Sequence, residues 1–403
     1  MIERKLYFDQ LEAFMDKQVI KVITGIRRSG KSVIMEQFAG HLAKTTPKST
    51  IIYIKLDQME NEELLEYHAL YAHIKDRLVP GQMNYIFIDE VQMCKDFQKP
   101  VESLFTMQDV DIYLTGSNTD VLSGELASLL SGRYITVHVQ PFSFQEYRLC
   151  AKENNFPQQS SEEAFQDFFK FGGFPFTLQL GRNPEDIAQY ISNVYDTIVL
   201  KDIIKRHQIK DIKVLESIIK FMFSNAGKIC TAKKISDTLT SSGRKSSQPT
   251  VESYLGFLEE CFLVYKVDRY DIRGKEILKS LAKYYIADTG MRNMLLGYRN
   301  IDTGHLLENL VFLELKRRKY SVFTGKNGDK EIDFIAQSQN EIMYIQVSES
   351  LKAPETLERE LSAFKNIRDS YPRILISMEQ EFNKDYDGVR SVYALDFLTG
   401  GTL

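Results

Sequence analysis

VIKVITGIRRSGKSVIMEQF, residues 19–38, decides the fold of the N-terminal part of this chain. Its apolar opening, Val19 to Thr24, has the length and β-branched content of a short buried strand. GIRRSGKS, Gly25 to Ser32, fits GxxxxGK[ST], and Val33, Ile34, Phe38 and Leu42 then recur at helical spacing. Strand, glycine-bounded loop and helix in that order make a phosphate cradle. The glycines let backbone N–H groups converge on a polyphosphate, and the helix adds its positive N-terminal end. Gly25, Ile26, Arg27, Arg28, Ser29, Gly30, Lys31, Ser32 and Val33 are therefore the expected nucleotide-binding residues. Lys31 supplies a cation for the β- and γ-phosphates, and the Ser32 hydroxyl is an expected Mg²⁺ ligand.

The 403 residues suffice for two to four domains. A 43% apolar and 26% charged composition is that of a globular protein, and a net charge of −4 gives no global field for nucleic acid or membrane. No apolar stretch approaches a bilayer span, and the opening MIERKLYFDQ lacks the apolar core of a leader. Cys94, Cys150, Cys230 and Cys261 lie far apart, without metal-type spacing. They read as reduced thiols of a cytoplasmic protein.

Outward from the loop, strands are expected at Ser49–Asp57, Asn84–Glu90, Val110–Ser117 and Tyr134–Val139, separated by helical patterns. Such alternation implies a parallel sheet with helices on both faces and a ligand site at the carboxyl ends of its strands. NYIFIDE ends in Asp89–Glu90. Charges at the end of a buried strand are costly unless solvated or bound to a cation. Asp89 is the expected second holder of Mg²⁺, and Glu90 the general base that polarises the attacking water. In LTGSN, the amide of Asn118 is a candidate to position that water. In SGRY, Arg133 sits between a helical stretch, Val121 to Leu130, and the last strand, at the edge of the sheet. It reads either as an arginine reaching the γ-phosphate of a neighbouring subunit or as an ordinary surface arginine.

GIRRSGKS, YIFIDE, LTGSN and SGRYITVHVQPFSFQEY together resemble one group of prokaryotic AAA-type ATPases, as do GGFP (Gly172 to Pro175) and VLKDIIKR (Val199 to Arg206). The resemblance implies an α/β P-loop NTPase core with a central phosphate-loop strand, Asn118 as sensor and Arg133 as arginine finger in a homo-oligomer. ATP and Mg²⁺ are the implied cofactors. The expected division is an AAA-type core over 1–145, a helical lid or linker over 146–210, a winged helix-turn-helix over 211–300 and a nuclease-like α/β domain over 301–403.

The winged helix is read from three amphipathic helices followed by a hairpin turning at Asp271–Gly274. Its recognition helix, PTVESYLGFLEE, carries Glu252, Glu259 and Glu260, while Arg244, Lys245, Arg269, Arg273 and Lys275 flank it. That modest basic footprint points to a protein partner or a lid role ahead of DNA. The last part is similar, within the resembling family, to the PD-(D/E)xK nuclease superfamily. Glu308 lies on the helix and Asp333 in EIDFIA, but YIQVS puts Gln346 where a metal-binding carboxylate is expected and Ser348 where a lysine is expected. Two neutral groups cannot replace an anionic ligand and a cation, so cleavage is expected to be lost. The function implied is ATP hydrolysis coupled to C-terminal domains that recognise DNA or a protein. A slow nucleotide-gated switch and an ATP-dependent nuclease are the alternatives.

Overall fold

The computed structural model describes residues 2–116, 132–154, 156–298, 303–380 and 385–401. The chain divides into two units, Met1–Pro141 and Phe142–Leu403.

The first unit is built on β1 (Ile20–Thr24), β2 (Thr50–Lys55), β3 (Asn84–Asp89), β4 (Val110–Thr115) and β5 (Tyr134–His138). Its helices are α1 (Lys5–Glu12), α2 (Lys31–Thr45), α3 (Tyr67–Lys75) and α4 (Gln98–Phe105). All paired strands run parallel in the order β2-β3-β4-β1-β5. The period of two sorts each strand's side chains to opposite faces. Ile20, Val22, Ile86 and Ile88 pack with Leu70, Ile74, Val101 and Leu104. Ile23, Phe87 and Tyr113 pack on the other face with Phe8, Ile34 and Phe38. The sheet is thus covered by α3 and α4 on one side and by α1 and α2 on the other. The phosphate-loop strand β1 is interior, but β4 takes the middle position.

The second unit opens with α5 (Phe144–Glu153), α6 (Ser161–Phe171) and α7 (Pro184–Thr197), the last running into a π-helical segment, Ile198–Lys205. Ser143 and Ser160 each form a capping box, with Glu146 and Glu163, which fixes where α5 and α6 begin. Next come α8 (Ile212–Ser224), α9 (Ala232–Ser241, capped by Thr231) and α10 (Gln248–Glu260), then the antiparallel hairpin of β6 (Val264–Asp271) and β7 (Glu276–Ile286). After α11 (Thr289–Leu296) and α12 (Thr303–Arg317) come β8 (Ser321–Asn327), β9 (Lys330–Gln337) and β10 (Ile342–Ser348). The unit ends with α13 (Pro354–Ser362), β11 (Arg373–Ser377), β12 (Asp385–Tyr386), β13 (Val389–Tyr393) and α14 (Ala394–Leu398).

The hairpin read from sequence as the wing of a winged helix-turn-helix is part of a larger sheet, ordered β12-β13-β11-β10-β9-β8-β6-β7. The join is the parallel pairing of β6 with β8 from Arg269–Thr324 to Asp271–Lys326. Helix α12 fastens β7 as well: the buried Asn309 amide donates to and accepts from the backbone of Ile286 at 3.0 and 2.8 Å. No helix among the described residues is long and apolar enough to cross a membrane.

Candidate nucleotide site

Strand β1 delivers the chain into Gly25, whose φ is +138° and whose missing side chain is required: an added Cβ would lie 2.0 Å from the Val139 carbonyl oxygen. The loop turns again at Arg28 and Gly30, both in the left-handed region, and α2 begins at Lys31. Lys31 is buried, and its ammonium donates to the Gly25 and Ile26 carbonyls at 3.0 and 3.2 Å. The cation is thereby held inside the curve of the loop. The hydroxyls of Thr24 and Ser29, before and within the loop, are buried with no hydrogen-bond partner among the described residues. Arg4, buried at the start of the chain, donates to the Ser29 carbonyl at 2.8 Å and to that of Gln140 at 2.9 Å, and lies over the Tyr7 ring. The loop and the exit of β5 are thus tied by one guanidinium.

Asp89 ends β3 beside the loop and is almost fully buried. It accepts from the Ser32 hydroxyl at 3.1 Å and from the Thr115 hydroxyl at the end of β4. Burial pushes the Asp89 carboxyl above its ordinary range, and the two hydroxyls oppose that shift. Glu90 is held in a left-handed conformation, φ 53° and ψ 47°, with its N–H donating to Thr115 at 2.9 Å and its carboxylate accepting from Gln92. This bend separates Glu90 from the strand that carries Asp89, so adjacent carboxylates face different surroundings. Thr115, passed over in the sequence, touches both. Its signal was only a hydroxyl at a strand end.

Asn118 and the helical pattern at 121–130 lie outside the described residues. Arg133 directly precedes the edge strand β5, is half exposed, and stands 3.8 Å from Glu102 and over the Phe105 ring.

In the second unit, Glu308, Asp333 and Gln346 converge, and Ser348 does not join them. The β9–β10 ladder ends at Phe334–Ile345. Beyond it the Asp333 N–H donates to the Gln346 amide oxygen at 3.2 Å, and the Val347 N–H to the Asp333 carboxylate at 2.9 Å. The Gln346 amide nitrogen donates to Glu360 on α13 at 2.8 Å. Ser348 instead donates to the Ser350 carbonyl at 3.0 Å. The sequence reading missed the cation of this cluster, Lys283 of β7. Its ammonium lies 2.9 Å from Glu308, 2.9 Å from Glu331 and 3.6 Å from Asp333. Lys283 sits among the aromatic residues of LAKYYI, where nothing in the local pattern marks it as ionic.

Residues 17–148 match the family described as an AAA domain, and residues 162–302 match a domain of unknown function. The phosphate loop, the Asp89–Glu90 strand end and the parallel sheet agree with that match, and residues 17–148 are an AAA-type P-loop domain. An uncharacterised protein of Haemophilus influenzae is 39% identical over 400 residues, 99% of this chain and 98% of its own. One of Methanocaldococcus jannaschii is 32% identical over 368 residues, 87% of this chain and 79% of its own. The chain belongs to the family these two define. The Walker-type ATPase of Pyrococcus abyssi has a similar fold at 15% identity, with a TM-score of 0.51 over 73% of this chain and 96% of that one.

Proposed function

We propose that the first unit binds ATP with Mg²⁺ through Gly25–Val33 and hydrolyses it, with Glu90 as general base. The observation that carries this is the meeting of Ser32, Asp89 and Thr115 beside a curved loop that encloses the Lys31 ammonium. The residues fit a divalent cation: the buried Asp89 carboxylate accepts from the Ser32 and Thr115 hydroxyls, and Ser32 is already aligned with it. Ser32 and Asp89 would hold Mg²⁺, which supplies positive charge to phosphate oxygens when bound. Lys31 exchanges its two carbonyl bonds for phosphate oxygens, and the unpartnered Ser29 and Thr24 hydroxyls line the same loop. Thr115 orients Asp89 and fixes the bend that aims Glu90. Asn118 completes the site by positioning water.

Hydrolysis drives rearrangement of the second unit, whose α8–α10 and β6–β7 we read as a winged helix and whose remaining sheet we read as nuclease-like without cleavage. Its partner is a protein or DNA. Arg133, just before the edge strand of the first unit, acts in trans in a homo-oligomer. The decisive experiment is the Glu90→Gln variant assayed for ATP binding and turnover. Binding is expected to persist and turnover to vanish; unchanged turnover removes Glu90 from the role of base. Incubation of the wild type with plasmid DNA and Mg²⁺ or Mn²⁺ tests the non-cutting reading, and cutting abolished by Asp333→Ala overturns it.

A further inference from the structure

We infer that the ammonium of Lys283 occupies the place of a divalent cation among the carboxylates of the second unit, so that the cluster is a metal site closed by its own side chain. The inference deepens the reading of this part as a nuclease-like fold that does not cut.

Three carboxylates from two elements face one point. Glu308 comes from α12, and Glu331 and Asp333 come from β9. They lie on one face because residues two apart in a strand share a face. Lys283 and Tyr285 reach the same point from β7 by the same rule. The Lys283 ammonium bonds Glu308 and Glu331 and lies near Asp333, while the Tyr285 hydroxyl donates to Glu308 at 2.6 Å. Lys283 is only 3% exposed, Glu308 6% and Asp333 9%, so water contributes little to balancing these charges. Gly227, with φ +75°, lies near the Glu308 carboxylate: a Cβ added there would stand 3.4 Å from it. An ammonium bridging carboxylates from separate elements does what a bound cation does: it cancels their repulsion and holds the elements together.

The electrostatics are those of a filled site. Burial alone would raise the Glu308 carboxyl, yet Lys283 overrides it and holds it down at about 2. Asp333, buried and beside the Glu308 charge, is pushed up to about 8 despite Lys283. One ammonium therefore favours the charged form of both carboxylates against their burial. Among the described residues no group of histidine, cysteine, aspartate and glutamate side chains is open to a metal ion.

Gln346 and Ser348 make the same point from the other side. At these positions a carboxylate and a lysine would add one ligand and one cation to the cluster. Here the Gln346 amide is spent bridging the Asp333 backbone to Glu360, and Ser348 turns to the Ser350 carbonyl. The cation arrives from the hairpin instead. It is fixed there because β6 pairs with β8 and Asn309 clamps Ile286.

The test uses the full chain without nucleotide, with Mn²⁺ as the probe, followed by electron paramagnetic resonance and by melting of the second unit. Wild type is expected to show no Mn²⁺ binding that depends on Asp333. Lys283→Ala leaves the carboxylates without a cation, and is expected to bind one additional Mn²⁺ and to recover on binding it the melting temperature lost in chelator. Adding Asp333→Asn to that variant is expected to weaken the gained binding by roughly tenfold or more. A folded Lys283→Ala protein that takes up no additional Mn²⁺ overturns the inference. Where Lys283→Ala does not fold, the wild type decides: Mn²⁺ binding lost on Asp333→Asn or Glu308→Gln shows that the metal displaces the ammonium and overturns it too. DNA cutting by the wild type would instead overturn the non-cutting reading, which is a separate outcome.

Discussion

Each unit of this chain places buried carboxylates at the ends or splayed edges of strands, but the two treat the charge in opposite ways. Asp89 accepts from two hydroxyls, which stabilise it without cancelling its charge. Glu308 and Asp333 share an ammonium carried by β7. A carboxylate supported by hydroxyls is ready for an exchangeable cation; one held by a buried lysine is not. The first arrangement suits a site that binds and releases nucleotide with its metal. The second suits permanent cross-linking of a sheet.

The largest effect that would break this contrast is at Lys31. Lys31→Ala is expected to lower ATP turnover by about a hundredfold or more, because the loop loses its phosphate cation. Lys283→Ala is expected to leave turnover per folded molecule unchanged; a parallel loss in a steady-state ATPase assay would mean the second cluster belongs to the catalytic apparatus. Next is Glu90→Gln, which is expected to slow hydrolysis by about 10²–10⁴-fold with nucleotide binding retained, read by single-turnover assay and equilibrium binding.

Thr115→Val sharpens the comparison further. It removes one of the two hydroxyls at Asp89 and the acceptor of the Glu90 N–H, at a cost of roughly 1–3 kcal/mol in the site. About a tenfold drop in kcat is expected, with a smaller change in ATP affinity measured in chelator. Unchanged kcat and affinity would make Thr115 a spectator.

The last effect falls on stability rather than turnover and concerns Asp288 in the second unit. This buried carboxylate caps α11 through the Met291 N–H and accepts from the Gly173 N–H of the GGFP turn at 2.7 Å. Burial pushes it up to about 6 from an ordinary 3.8, against the backbone bonds that favour its charge. Between those values the folded chain holds a proton that the unfolded chain has lost. Its contribution to stability is therefore greatest below that window and falls as pH rises through it, by up to about 3 kcal/mol. Asp288→Asn is expected to flatten that part of the melting profile between about pH 4 and 6; an unaltered profile would assign the slope to other groups.

Much of the first unit was legible in the sequence because its signals are local. The phosphate loop is eight consecutive residues, and the strands that carry Asp89 and Arg133 declare themselves by short apolar runs. What was missed there is Thr115, whose role depends on β4 lying beside β3. In the second unit Glu308, Asp333 and Gln346 were legible and do converge. Ser348 was read as occupying a vacated position, but where the cation of that cluster comes from was invisible. Lys283 lies 25 residues before Glu308 and 50 before Asp333 along the chain, and no periodicity links them.

The sequence by itself determined a nucleotide-binding α/β unit, because strand, loop and helix follow one another and glycine conformations are intrinsic to the residues that carry them. It also determined that the late YIQVS strand lacks an acidic ligand and a lysine. Only the tertiary structure decided that the hairpin joins the second sheet, and so that Lys283 lands among Glu308, Glu331 and Asp333. Strand pairing between distant segments chooses which charges meet, and that choice is made by packing and hydrogen-bond register across the whole sheet rather than by any local stretch of chain.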